Sequence, residues 1–217
     1  MKNKNKSKRQ PYVYIVGLII ILVIVLGIFY RNSQYGTLQI KSLDKNLMVF
    51  VDNQRKTDQQ DVNPKFNLKN GSHTIVVAKE KFWPWTKEIQ IERQKNLIIQ
   101  PFFVPQNTSG LLISKEDSEY SYIISLFQKD LISNTVMKRI IGLSAELKTS
   151  ITAIDFYKNR QDVVIISSGE GVYVLEIDSK NIQNFQPIYK GRSPLFVKKD
   201  DSSIYILDNN NLILANY

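Results

Sequence analysis

His73 is the chain's single histidine. A Ser-His-Asp triad would have to use it, yet no G-x-S-x-G segment presents a nucleophile. A zinc site needs several His, Cys, Asp or Glu ligands, and "GSHTIVV" offers one. The setting favours a strand-initial histidine whose ring hydrogen-bonds the neighbouring turn. Glu116, Asp117 and Glu119 cluster carboxylates, but without the D-x-D-x-D-G pattern of a calcium loop they read as a solvated loop. Gly169-Glu170-Gly171 lies between two apolar runs and opens no helix, so it reads as a hairpin turn and not as a phosphate cradle. No catalytic, cofactor or metal residue is assigned. The remaining chemistry is aromatic. The stretch "KEKFWPWTKEIQI" (79–91) holds both tryptophans, Trp83 and Trp85, around Pro84. On an extended backbone residues 83 and 85 point the same way, as a ligand or partner surface requires. The alternatives are a membrane wedge, weakened because an ample anchor already exists, and a plug: an aromatic buried at the end of a small β-sandwich, packed on Phe50, Ile75 or Ile89.

Those residues need elements to hold them. At 217 residues and 43% hydrophobic content the chain can build one large domain or two small ones. It has no cysteine, so packing alone must stabilise it and Cys-based metal sites are excluded. The net charge of +9 is concentrated at the start, where Lys2, Lys4, Lys6, Lys8 and Arg9 supply five charges and leave four for the rest. Nucleic-acid binding therefore does not follow from the pI. The tail has a better explanation in what comes next. "YVYIVGLIIILVIVLGIFY", from Tyr12 to Tyr30, is uncharged and as a helix spans about 28 Å, close to the roughly 30 Å core of a bilayer. Aromatics flank it at both ends. A cleaved signal peptide would have a shorter apolar region and a small-x-small cleavage site, and none is present. The reading is an uncleaved anchor at 12–30, a basic cytoplasmic tail at 1–11 on the positive-inside rule, and a linker at 31–35.

Beyond the linker the pattern has period 2. "TLQIK", the apolar run "LMVFV" (expected to be buried on both faces), "KFNLKNG", "SHTIVVAK", "KEIQIE" and "NLIIQPFFV" read as short strands, with turns at Asp52–Asn53 and at Asn70–Gly71, the commonest hairpin dipeptide. Strands this short and closely spaced predict an antiparallel sandwich over 36–104. The segments "GTLQIKS", "LMVFVDNQ" and "LKNGSHTIVVAKEKFWPW" resemble a PEGA domain, a small β-sandwich module of prokaryotic surface proteins. Pro64, Gly71 and His73 fall where that pattern expects them, and Phe82 or Trp83 takes the place of its aromatic. "LDKN" (43–46) stands where the Pro-Glu-Gly-Ala tetrapeptide would be, and Asn53 replaces the usual glycine after Asp52. The resemblance implies a fold and an extracytoplasmic setting and no catalytic activity.

Past Pro105 the chain repeats. "ITAIDFYKNRQDVVIISSGEGVYVLEID" (151–178) and "SPLFVKKDDSSIYILDNNNLILANY" (193–217) share a strand–turn–strand–turn–strand rhythm, with Ile151 to Ser193, Val163 to Ile204 and Val172 to Leu212 spaced 42, 41 and 40 apart. A weaker third copy is read at "GLLISKEDSEYSYIISLF" (110–127). The rhythm resembles β-propeller blades, but 105–217 holds fewer than the four blades of a closed ring. An incomplete propeller leaves open strand edges, to be completed by a partner, by a second copy, or in a longer architecture; the alternative is an ordinary sandwich whose strand spacing is accidental. The expected fold class is thus mainly β: an N-terminal transmembrane helix, a small antiparallel PEGA-like β-sandwich, then propeller-like repeats. The expected function is a single-pass, membrane-anchored extracytoplasmic protein with a structural or binding role at the cell envelope. Its partners would be the bilayer through residues 12–30, a cell-envelope polymer or another envelope protein, and itself through exposed β edges. The alternative is an envelope enzyme, a carboxylate-based hydrolase acting on cell-surface carbohydrate or peptide, since paired carboxylates need not be close in sequence.

Overall fold

The computed structural model describes residues 10–32, 34–56, 63–129, 131, 151–177 and 183–217. The basic residues 2–9 lie outside that set. A charge-free run of aliphatic residues folds as helix α1 (Gln10–Asn32, 23 residues). Helix thus occupies part of the expected linker, and the first strand begins at Tyr35. Side chains of α1 are described over residues 14–27. Among the described residues no helix is long and apolar enough to cross a membrane.

The rest of the described residues are mainly β, and among them four sheets are built from fifteen strands. The chain divides into two compact units, one of Met1–Leu43, Val62–His73 and Glu88–Gln100, the other of Asp44–Asp61, Thr74–Lys87 and Pro101–Tyr217. In the first, β1 (Tyr35–Ile40) is the central strand between β4 (Lys65–Lys69) and β7 (Asn96–Ile99). The β1–β4 pair is antiparallel, but β1–β7 is parallel, which the expectation of a wholly antiparallel arrangement missed. Leu38, Ile40, Leu68 and Ile99 supply its buried face.

A second sheet has the order β3-β2-β5-β6, from β2 (Met48–Val51), β3 (Gln54–Arg55), β5 (Gly71–Ala78) and β6 (Trp85–Ile91). Strands β5 and β6 each contribute residues to both units. The β2–β3 hairpin closes on Asp52 and Asn53 with φ of 51° and 63°. Positive φ at both central residues is the type I′ turn that matches strand twist, and Asn tolerates it. Strand β2 alternates, with Val49 and Val51 buried and Met48 and Phe50 partly exposed, so it is not covered on both faces. Asn70–Gly71 is not a hairpin turn either. Strand β4 pairs with β1 and β5 with β2, so the dipeptide is a corner between sheets, and Gly71 takes φ of 140°, open to glycine alone.

The other two sheets realise the repeat inside the second unit. Strands β9 (Ala153–Phe156), β10 (Val163–Ser168) and β11 (Gly171–Glu176) recur as β13 (Leu195–Lys198), β14 (Ser203–Asp208) and β15 (Asn211–Asn216). Their first residues are offset by 42, 40 and 40 positions. Both hairpins turn on two residues, Gly169-Glu170 and Asn209-Asn210, the latter again with two positive φ values. Each triplet gains a fourth antiparallel strand, giving β12-β11-β10-β9 and β13-β14-β15-β8, where β12 is Gln183–Lys190 and β8 is Ser109–Ile113. No closed propeller ring is formed by the described residues.

The weak upstream copy is not a blade. Its first part is β8, and its second is a short helix, α2 (Tyr120–Leu126). The spacing of Tyr120, Ile123, Ile124 and Phe127 is helical, and these residues cover Tyr205 of β14 and Leu212 of β15. Packing over the sheet face thus overrides the β propensity of the isoleucines.

Candidate functional site

The tryptophan stretch is a strap. Lys79 to Lys87 leaves β5, turns through Lys81 at φ 67° and enters β6 at Trp85, as the missing N–H of Pro84 permits at a strand start. Phe82 bridges to Pro105, the Trp83 N–H donates to the Val104 carbonyl at 2.9 Å, and the Gln106 N–H to the Lys81 carbonyl at 2.9 Å. Trp85 is fully buried, which removes it from any ligand surface. This is the burial of the plug reading, with a polar partner that the sequence does not signal: the indole N–H donates to Glu176 Oε2 at 3.2 Å. Trp83 is partly exposed, and its indole N–H is buried with no hydrogen-bond partner among the described residues.

Glu176, at the end of β11, is the centre of a small network. Lys87 Nζ donates to its Oε1 at 2.7 Å, and Asn184 Nδ2 to its Oε2 at 3.1 Å. The Thr86 N–H donates in turn to Asn184 Oδ1 at 2.5 Å. Two residues along β12, the Gln186 side chain accepts from the Val104 N–H at 3.1 Å and donates to the Pro84 carbonyl at 3.3 Å. A buried carboxylate is tolerated only when so neutralised and hydrogen-bonded. These side chains hold the strap to β11 and β12, so the arrangement binds protein to protein. Glu176, Asn184 and Gln186 carried no sequence signal, because their partners lie about ninety to a hundred residues away.

His73 behaves as its setting predicts. It is partly exposed, and a ring nitrogen lies 2.7 Å from the Lys69 carbonyl at the preceding corner. Glu116 and Asp117 belong to a local turn in which the Ser114 N–H donates to Asp117 Oδ2 at 2.8 Å. No group of three or more metal-ligating side chains is found among the described residues.

Two of the concavities among the described residues offer room for a ligand or partner. One, of about 630 Å³, is lined by Tyr35, Thr37, Asn67, Gln94, Lys95 and Asn96 in the first unit. Its floor is Gly36, where a Cβ would come within 2.2 Å of the Glu92 carbonyl, so the backbones meet there only because no side chain intervenes. The other, of about 340 Å³, is mostly apolar and includes Gly110 and Leu112 of β8, Ile188 and Tyr189 of β12, and Ile213 and Ala215 of β15. Tyr189 is held there by its hydroxyl, which donates to Asp208 Oδ2 at 3.0 Å. Burial, and then the Asp208 carboxylate, raise the pKa of that hydroxyl. Neither lining contains a carboxylate, and a third concavity of about 400 Å³, lined by Lys129, Ile154, Asp155, Phe196 and Lys198 among others, holds one, Asp155, so none of the three supplies the paired carboxylates of a hydrolase. Beside the apolar cavity runs β8 itself, the last strand of its sheet, with Leu111 and Leu112 on opposite faces and 64% and 65% exposed.

No protein family's sequence profile, no curated protein and no solved structure matches this chain.

Proposed function

We propose that the protein is a single-pass membrane-anchored scaffold with a structural or binding role on the outer side of the cytoplasmic membrane. One observation carries the reading. Twelve large apolar side chains between Tyr14 and Leu26 are 53% to 75% exposed around the whole circumference of α1. Burying an aliphatic side chain is worth roughly 1.5–3 kcal/mol. Leaving twelve half-exposed in water therefore costs on the order of 10 kcal/mol, as much as the entire stability of a typical domain. A helix apolar on every side belongs in lipid or in a large core. The charge-free run from Tyr12 to Tyr30 and the basic residues before it support lipid, with the N-terminus inside.

Residues 36–104 form a PEGA-like sandwich on this reading, supported by the Asp52–Asn53 turn, the glycine-only corner at Gly71 and the histidine tied to that corner. Residues 105–217 supply two propeller-like blades, the tryptophan strap is fixed to the first of them by Glu176, and the partner is an envelope polymer or another envelope protein. Protease treatment of intact spheroplasts tests the topology. A tag placed after Tyr217 is expected to be digested without lysis. A tag that survives until lysis reverses it, and a chain extracted from membranes by alkaline carbonate overturns the anchor.

A further inference from the structure

We infer that β8 is a self-pairing edge: two copies of the chain join β8 to β8 antiparallel about a twofold axis at Leu111, fusing two four-stranded sheets into one of eight. The inference rests on the membrane-anchored reading and names a partner for it. An exposed edge strand offers unpaired N–H and C=O groups, and soluble proteins blunt such edges with charge, proline, shortness or cover. The other edges here are blunted. Strand β4 carries Lys65 and Lys69, β13 ends in Lys198 and is followed by Lys199, and β12 contains Pro187. Strand β3 is two residues long and includes Arg55, β6 carries Lys87 and Glu88 after Pro84, and β7 is four residues between Lys95 and the N–H-free Pro101. The edge of β9 is met by Leu131, whose carbonyl accepts the Ile154 N–H at 3.1 Å. Strand β8, Ser-Gly-Leu-Leu-Ile, has no charge and no proline, and its backbone has no partner beyond β15 among the described residues.

The occupant is a second copy on grounds of charge and overlap. Centring the twofold on Leu111, the middle residue, is the register in which all five strand residues face strand residues: Ser109 meets Ile113, Gly110 meets Leu112, and Leu111 meets its own equivalent. In that register Lys115 faces Asn107 and Glu116 faces Gln106, so no like charges are opposed. Leu111 lies on the α2 side of the sheet, opposite Leu214 of β15, and self-pairing extends that apolar face across the axis. A pair of five-residue strands buries far less than the roughly 1,200 Å² of a stable interface. The contact therefore depends on confinement of the copies to one membrane, which raises their effective concentration as a tether does.

The absence of native cysteine makes the test direct. Full-length Leu111→Cys, Leu112→Cys and, as a control, Leu43→Cys at a fully exposed position are reconstituted in lipid vesicles and oxidised. Flotation with the vesicles reports the anchor independently. The expected result is disulfide dimer from Leu111→Cys at least tenfold above Leu43→Cys. Leu112→Cys should stay near the control, because its equivalents sit diagonally across the axis, beyond the roughly 7 Å that a disulfide spans. Chains that fail to float overturn the anchored reading. Chains that float but crosslink no better at 111 than at 43 overturn the self-pairing edge, and a strong crosslink at 112 alone overturns the register. In Leu111→Cys protein that also carries Gly110→Lys, a charge on the same edge should abolish the crosslink while flotation persists.

Discussion

The two repeat sheets share a three-stranded plan and differ in what they do with the fourth position. In the first, β12 follows β11 along the chain, and the end of β11 places Glu176 against Trp85, Lys87 and Asn184. In the second, the equivalent strand is β8, which precedes β15 by about a hundred residues, and the position equivalent to Glu176 is Asn216. Asn216 is exposed and reaches only Ser109 Oγ, at 3.4 Å. One sheet thus uses its fourth-strand side to lock the tryptophan strap, and the other uses it to present an uncharged edge. A repeated unit supplies the same backbone twice, and the side chains at one equivalent position decide whether it becomes a brace or an opening.

The largest expected break in this comparison is Glu176→Ala. Removing the carboxylate takes the 2.7 Å ion pair from the Lys87 ammonium and the acceptor from the fully buried Trp85 N–H. Losing one member of a buried ion pair costs about 3–5 kcal/mol. Urea unfolding of the 36–217 portion should show a loss of that size, and Asn216→Ala should change stability by no more than about 0.5 kcal/mol. Equal effects would dissolve the contrast between the sheets.

A smaller effect sharpens it. One residue further on, Ile177 of the first repeat packs on the aliphatic cluster around Val164 and Ile166, and its equivalent is Tyr217. Tyr217 stacks on Tyr157 at 5.4 Å between centroids, and its hydroxyl is buried without a hydrogen-bond partner among the described residues. Burial raises the pKa of Tyr217, and the neighbouring Tyr157 adds to this. Burial likewise raises Tyr157, whose hydroxyl donates to the Phe103 carbonyl at 3.0 Å. A folded-state pKa above the unfolded value of about 10 means that the native state holds the proton more tightly. This stability is whole below pH 10 and falls as pH rises beyond it, by at most about 1.4 kcal/mol per pH unit per group. Tyr217→Phe should flatten part of that alkaline slope with little change at pH 7, since no hydrogen bond is lost. An unchanged slope would place the alkaline sensitivity elsewhere.

Local patterns in the sequence were legible. The 40-residue rhythm reappears in the offsets of β9 to β11 and β13 to β15, because strand length and turn chemistry are written in neighbouring residues. The turn at Asp52–Asn53 followed from the tolerance of Asn for positive φ. What failed were the inferences about who pairs with whom. Asn70–Gly71 has the chemistry of a hairpin, but only distant partners, β1 for β4 and β2 for β5, make it a corner. Helix α2 was read as a strand because Ile123 and Ile124 favour both, and the sheet face that selects helix lies eighty residues away in β14 and β15. Which strand would end each sheet was not legible either: β15 is followed in its sheet by β8, about a hundred residues earlier in the chain. Trp85 illustrates the limit for the site: that one of the two tryptophans would be buried was legible from the gain of burying a large aromatic in a small sandwich, but not which one, and Glu176 was not legible at all.

Hydrogen exchange on the full-length protein tests most directly whether one sheet is closed and the other open. It should be measured once in nanodiscs holding a single copy and once in vesicles crowded with copies. The amides of β12 should be equally protected in both, whereas the outward amides of Gly110–Leu112 should exchange rapidly in the single-copy discs and slow at least tenfold in the vesicles. Slow exchange in β8 with one copy per disc, or no change on crowding, would contradict the account.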